Sequence, residues 1–127
     1  MNYTKKVMSN FMKPKNMGII KNPDGIGKVG NPQCGDIMEV YIKVDERGKK
    51  KILKDIKFKT FGCAAAIATS SMVTQLAKGK TLEEVEKIKY DKVVESLGGL
   101  PKIKLHCSMM ATEALGKAIK NYKEKNK

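Results

Sequence analysis

Hydrophobic and polar positions alternate most cleanly from Ile37 onward. Met38, Val40, Ile42 and Val44 share one parity, and Glu39, Tyr41, Lys43 and Asp45 the other. That period of two is the mark of a strand buried on one face. Glu46-Arg47-Gly48-Lys49 reads as a hairpin connection, and a second strand runs from about Lys51 to Phe61 with Ile52, Ile56 and Phe58 inward. The connection is too short for a crossover, so the pair is antiparallel. After Phe61-Gly62-Cys63 the period changes. Ala64, Ile67, Ala68, Ser71, Met72, Gln75 and Leu76 fall on one helical stripe that ends at Gly79. Thr81-Leu82-Glu83-Glu84 is a capping box opening a short helix to about Ile88, and residues 90–97 form a further helical segment closed by Gly98-Gly99. Leu100-Pro101-Lys102-Ile103-Lys104 is expected to be extended, because a proline disfavours helix at the residue before it. A last helix from Met109 buries Ala111, Leu115, Ala118, Ile119 and Tyr122 and ends rich in lysine, which suits its dipole. At the other end, Val7, Met8, Phe11 and Met12 give residues 3–12 an amphipathic helix that stops at Pro14. The preferred reading of this N-terminal helix (residues 1–14) docks it on the core; the alternative is a mobile partner-binding arm.

Residues 15–33 are rich in Gly, Asn and Pro and contain a formal G-x-G-x-x-G at Gly25, Gly27 and Gly30, with Asp45 twenty residues after Gly25. A dinucleotide site needs a strand before such a loop and a helix after it. Here Pro32 and a strand-like run follow, so the stretch is read as a flexible approach to an edge strand around Lys28-Val29.

The composition fits one globular domain, residues 1–127, with 41% apolar and 31% charged residues. The net charge of +13 attracts acidic partners. The lysines are scattered along the chain, aromatics are only 6%, and Arg47 is the single arginine. That leaves neither a stacking platform nor an arginine-rich reader, and nucleic acid is not an expected partner. The apolar stretch Cys63–Ala68 is too short to span a membrane, and the start Met1-Asn2-Tyr3-Thr4-Lys5-Lys6 leads into no signal-peptide core. The expected compartment is the cytoplasm, where cysteines are more often metal ligands or reactive thiols than bridges.

There are three cysteines, 29 and 44 residues apart, and one histidine. These are not knuckle spacings, so a shared site must be assembled by the fold. Cys34 precedes the first strand of the hairpin, Cys63 follows the second, and antiparallel pairing returns them to one edge. Cys107 lies before the last helix, next to His106. In an extended chain Cys34 and Asp36 face the same side, with Gly35 leaving room between them. Cys63 and Cys107 both sit at helix N-termini, where positive potential favours thiolate, and Lys104 adds charge. Soft thiolates select zinc or iron–sulfur clusters, and Asp36 and His106 are the local candidates for a fourth donor. An oxygen or nitrogen donor holds a cluster less firmly than a fourth thiolate, which suits a protein that gives its cluster away. A lone cysteine is ordinarily a small buried hydrophobe; three, each at an element boundary beside Gly, His or Asp, point to chemistry. The eight methionines read as core filler.

These same residues resemble a known family. Gly27-Lys28-Val29-Gly30-Asn31-Pro32-Gln33-Cys34-Gly35-Asp36 is similar to the V-G-x-P-x-C-G-D signature of U-type iron–sulfur cluster scaffolds, IscU and the N-terminal domain of NifU. Phe58–Cys63 and Lys104–Met109 resemble the family's second and third motifs, and Met12–Gly18 its start. The resemblance implies an α+β fold of the SufE-like superfamily, a small three-stranded antiparallel sheet packed against helices. It implies a scaffold rather than an enzyme in the turnover sense. Such a scaffold takes persulfide sulfur from a cysteine desulfurase, collects iron, builds a transient 2Fe–2S cluster and passes it to apo-proteins. The implied ligands are Cys34, Cys63 and Cys107 with Asp36 or His106 as the fourth, and Cys107 is the implied persulfide acceptor. The apo-form could carry zinc in the same site. The alternative is a zinc-bound, SufU-like sulfurtransferase partner of the desulfurase. Two departures stand out. Ala64 replaces the glycine that usually follows the second cysteine. Lys102 replaces the second proline of the segment read by an Hsp70-type chaperone, here Leu100–Lys104.

Overall fold

The computed structural model describes residues 2–31 and 36–126, with backbone alone at Asn31 and Asp36. Its sheet has the order β1-β2-β3, from Gly25–Asn31, Asp36–Arg47 and Lys50–Phe61, all antiparallel. Helices α1 (Lys5–Met12), α2 (Ala64–Ala77), α3 (Leu82–Glu86), α4 (Tyr90–Ser96) and α5 (Leu105–Lys125) complete the chain. α5 packs across β1 and β2, α2 packs on β3 and on α5, and α1 and α4 pack on α2. The fold is therefore α+β, with a three-stranded antiparallel sheet covered on one face by helices.

The hairpin forms as its pattern predicts. Met38, Val40 and Ile42 are buried, and Gly48 supplies a φ of +64° at the turn. On β3 the expected inward Ile52 is displaced. The register shifts at Lys43/Val44, where Lys43 pairs with Asp55 and Val44 with Leu53, leaving Lys54 as the extra residue of a bulge. The parity flips there, so Leu53 is buried beside Ile56 and Phe58 while Ile52 is only half-buried.

The edge strand expected around Lys28-Val29 forms and begins earlier, at Gly25, so the glycines belong to the strand itself rather than to a flexible approach. A Cβ on Gly27 would lie 1.9 Å from the Ala114 carbonyl oxygen, and one on Gly25 would lie 2.3 Å from that of Ala118. The glycines let β1 lie directly on the α5 backbone, and no nucleotide loop is formed. Asn121 Oδ1 accepts the outward Ile26 N–H at 3.0 Å, so α5 also covers part of the free edge of β1. The outer edge of β3 is covered by residues 16–18 and 79–81: Phe58 N–H donates to Asn16 O at 3.0 Å, and Leu53 N–H to Lys80 O at 2.8 Å.

α2 departs from its predicted stripe. Ala65, Ala66, Ala68, Thr69, Ser70, Ser71, Val73, Thr74 and Ala77 are buried, whereas Ala64, Ile67, Met72 and Leu76 are half-buried and Gln75 is exposed. With neighbours on several sides, this helix needs small side chains rather than one oily face. Its buried hydroxyls are satisfied locally, as where Thr69 Oγ1 donates to Ala65 O at 2.8 Å. α1 docks, with Val7 fully buried and Thr4 Oγ1 accepting from Val7 N–H at 3.1 Å. The capping box at the start of α3 is complete: Glu84 N–H donates to Thr81 Oγ1 and Thr81 N–H to Glu84 Oε1. Replacing Thr81 by Ala should cost about 1 kcal/mol in urea unfolding. Glu83→Gln, outside the box, is the control and should cost far less.

The segment before the third motif is not extended throughout. Pro101 is extended (ψ 141°), but Lys102–Lys104 forms a 3₁₀ turn that runs straight into α5. α5 thus starts at Leu105 rather than Met109, and His106 and Cys107 lie within its first turn rather than ahead of it. The predicted inner face holds: Ala111, Leu115, Ala118, Ile119 and Tyr122 are all buried.

Candidate metal and thiol site

The site lies where the start of β2, the end of β3 and the N-termini of α2 and α5 meet. Ile37, one residue into β2, pairs with Phe61, and Cys63 follows two residues later as the N-cap of α2. Ser, Thr, Asp and Asn are the usual residues at such a position, because their side chains accept the orphan helix N–H groups. Cys63 makes no side-chain cap bond. Its sulfur instead stands 3.8 Å from that of Cys107. The N-cap of α5, Lys104, also makes no side-chain cap bond. Two helices therefore bring N-terminal turns without side-chain caps to one pair of sulfurs, and the partial positive charge of those turns favours anionic sulfur.

Both cysteines are thiols rather than a disulfide; Cys63 is half-buried and Cys107 fully buried. His106 Nε2 lies 3.6 Å from Cys107 Sγ. Beneath the pair, Thr69 Oγ1, whose proton goes to Ala65 O, lies 3.4 Å from Cys107 O, so α2 packs closely against the first turn of α5. The Lys104 ammonium brings positive charge to the site. Its pKa is raised, first by negative charge on Cys63 and then by a hydrogen bond to the same sulfur, with desolvation opposing; Tyr3 and Cys107 add smaller effects.

The sulfur separation has a direct chemical meaning. Two thiolates at about 2.3 Å from one tetrahedral metal subtend a sulfur–sulfur distance of about 3.8 Å. The pair already has the bite of two ligands on a single ion. Of the remaining candidates, Cys34 lies outside the described residues. Asp36 is placed by its backbone at the first position of β2, at the same end of the sheet. Among the described residues no three His, Cys, Asp or Glu side chains form a set able to hold a metal ion. The described part of the site is the Cys63–Cys107 pair with His106 on Cys107.

The rim of the site is apolar, and a reading aimed at ligand residues misses it. Ile37 and Phe61 face each other across β2 and β3 and are 45% and 64% exposed; Ile103 and Met109, flanking the third motif, are 66% and 44% exposed. The signal is present in the strand parity, since Ile37 belongs to the polar set of β2. Lys59 Nζ sits 5.3 Å from the Phe61 ring centroid, so this apolar corner also carries positive charge. No helix among the described residues is long and apolar enough to cross a membrane.

Comparison with known proteins agrees with this geometry. Residues 2–127 match the family model described as NifU-like N terminal domain. The chain is 58% identical over 124 residues to "Iron-sulfur cluster assembly scaffold protein IscU 1" of Archaeoglobus fulgidus, covering 98% of this chain and 78% of that one. It is 48% identical over 128 residues to "Iron-sulfur cluster assembly scaffold protein IscU" of Buchnera aphidicola, covering 98% of each. Among solved structures, a nitrogen-fixing NifU-like protein (N-terminal) from Brucella abortus has a TM-score of 0.70 at 17% identity, covering 96% of this chain and 94% of that one. That last likeness speaks for the fold alone. The thiol pair, the sheet that positions it and the full-length match place this chain in the NifU-like N-terminal domain family.

Proposed function

We propose that this chain is an iron–sulfur cluster assembly scaffold. On it a 2Fe–2S cluster is built from iron and from sulfur delivered as persulfide by a cysteine desulfurase, each sulfane sulfur taking two electrons from iron(II) and an external electron donor of the ferredoxin or thiol class to become sulfide, and from it the cluster passes to apo-proteins. The observation that carries the reading is the 3.8 Å separation of Cys63 and Cys107 sulfurs at two helix N-termini. The names borne by its relatives point the same way. Iron, sulfide and the finished cluster are cargo here, and the protein does no turnover chemistry on them.

In this reading Cys34, Cys63 and Cys107 ligate the cluster, and Asp36 or His106 supplies the fourth donor. Cys107 is the persulfide acceptor: its thiolate attacks the outer sulfur of the desulfurase persulfide, the desulfurase cysteine leaves as thiolate, and Cys107 keeps the sulfane sulfur. Because Cys107 is buried and Cys63 half-buried, the site end must open on the desulfurase for that transfer. The exposed Ile37, Phe61, Ile103 and Met109 give such a partner an apolar surface around the thiols. An Hsp70-type chaperone binding Leu100–Lys104 as an extended peptide would have to unwind the 3₁₀ turn there. The same sulfur bite fits zinc, so zinc in the apo-form is compatible with this function.

Anaerobic reconstitution with iron(II), cysteine, a desulfurase and a thiol reductant that converts the persulfide sulfur to sulfide tests the reading. Charge-transfer absorption should appear and then move to an apo-ferredoxin. A chain that accepts persulfide sulfur and holds zinc yet builds no transferable cluster would be a sulfurtransferase partner instead. Asp36→Ala should keep its cluster longer during transfer; unchanged or faster release would remove Asp36 from a labilising role.

A further inference from the structure

The lysines that look dispersed along the sequence are partly gathered by the fold. At the hairpin end of the sheet, Lys49, Lys50 and Lys51 line a groove of about 320 Å³ together with Lys123 from the last turns of α5 and with Thr81 and Glu83. The strands run roughly 30 Å between this groove and the thiol end. From this arrangement we infer that the groove is a docking surface for an acidic segment of a partner protein, separate from the thiol site.

Three observations support it. First, the groove is built on fixed elements. Ile52 bridges Thr81 across the edge of β3, and Gly79 N–H donates to Leu53 O at 2.8 Å, so the 79–81 segment is held against the strand. Lys51 is held over the Tyr122 ring, with Nζ 5.4 Å from the centroid. Second, the nearby carboxylates are already engaged. Glu84 closes the capping box, Glu86 pairs with Lys123, and Glu46 accepts from the Tyr122 hydroxyl at 2.8 Å. Burial first, then that hydrogen bond, push the Tyr122 pKa up to about 12, so the phenol stays a donor. Among the described residues the groove is lined by four lysines and one glutamate; with Lys123 paired to Glu86, the local excess of positive charge is that of Lys49, Lys50 and Lys51 over Glu83. Third, the shape selects the class of partner. The groove is compact and concave, which a duplex cannot enter. The face of Tyr122 is taken by Lys51, so no aromatic platform is offered to a single strand. Carboxylate side chains of a peptide meet both constraints, and lysine ammonium groups recognise them as point charges without needing a planar fork.

The test uses the full chain and a hexaglutamate peptide, with affinity and NMR shift mapping at about 20 mM and about 0.2 M salt. The expected result is shifts confined to the hairpin turn, residues 79–83 and the end of α5, weakening as salt rises. Lys49→Glu/Lys50→Glu should reduce affinity about tenfold or more, and Lys49→Gln/Lys50→Gln by less. Lys6→Glu/Lys21→Glu, the same change in net charge elsewhere on the surface, should change it less than about twofold. Equal loss in the groove and control variants would reduce the effect to diffuse charge and overturn the proposal. So would shifts centred on Cys63 and Cys107, or tighter binding in the groove by a single-stranded oligonucleotide of matched charge. The far-UV circular dichroism and urea midpoint of each variant identify any loss that comes from unfolding, and the Gln pair then decides.

Discussion

Gly27→Ala should lose about 3 kcal/mol of folding stability or more, the upper range for forcing atoms into a packed interior. The substitution adds one methyl group. Its carbon would stand 1.9 Å from the Ala114 carbonyl oxygen and 2.5 Å from the Ala118 nitrogen, both backbone atoms of α5. No rotamer change relieves a clash with backbone. Either β1 lifts from α5 or the helix shifts as a body, and α5 also carries Cys107 in its first turn. Gly25→Ala should behave alike, meeting Ala118 O at 2.3 Å. Gly116→Ala is the informative contrast. It lies inside α5, and the added methyl would meet nothing within 4 Å, so it should be neutral or gain up to about 1 kcal/mol from helix propensity. Urea unfolding of the three variants checks the pattern. A Gly27→Ala protein as stable as the parent would mean that β1 does not rest on α5 as described. Because β1 ends three residues before Cys34, the same variant should also reconstitute poorly.

Much of this was legible in the chain because it depends on near neighbours. The Met38–Val44 alternation, the Gly48 turn and the Thr81–Glu84 box are local signals, and each forms where the pattern puts it. The errors came where distant packing decides. Ile52 yields to Leu53 because a bulge at Lys54 flips the parity, and nothing in the local pattern marks it. The stripe expected on α2 failed because that helix is covered on several sides, so small polar residues are buried and larger apolar ones are left at its margins. Gly25 and Gly27 looked like a flexible lead because the reason for them is a helix some ninety residues away. Pro101 does keep its own backbone extended, but it also sits ahead of a helical turn, where proline is well tolerated, so α5 starts earlier than its apolar pattern. At the site, spacing alone excluded local metal loops and required the fold to assemble the thiols. The structure brings Cys63, Cys107 and His106 together; Cys34 lies outside the described residues, and only the backbone of Asp36 is placed.

Removing either sulfur of the described pair should reduce binding of a thiophilic divalent ion by about 100-fold or more, beyond the range typical for groups that merely support a ligand. Cys63→Ser and Cys107→Ser are the variants, and cobalt(II) is the probe, since thiolate coordination gives it a charge-transfer band that reports sulfur directly. The 3.8 Å bite means that the two sulfurs act on one ion, so each loss should abolish most of the affinity and the double variant should add little. The two single variants should differ in stability. Cys107 is fully buried in the core between α2 and α5, and serine there places a hydroxyl in an apolar setting, so Cys107→Ser should also lower the urea midpoint while Cys63→Ser lowers it less. His106→Ala should weaken cobalt binding by about tenfold if the ring, 3.6 Å from Cys107, orients that sulfur rather than binding the ion itself, and by far more if it is a ligand. Binding should also weaken as pH falls, because each thiol must give up its proton to the solvent before it coordinates. A Cys107→Ser chain that stays folded and retains cobalt with an unchanged charge-transfer band would show that the two sulfurs, though adjacent, do not share a metal. The scaffold reading would then lose the observation on which it stands.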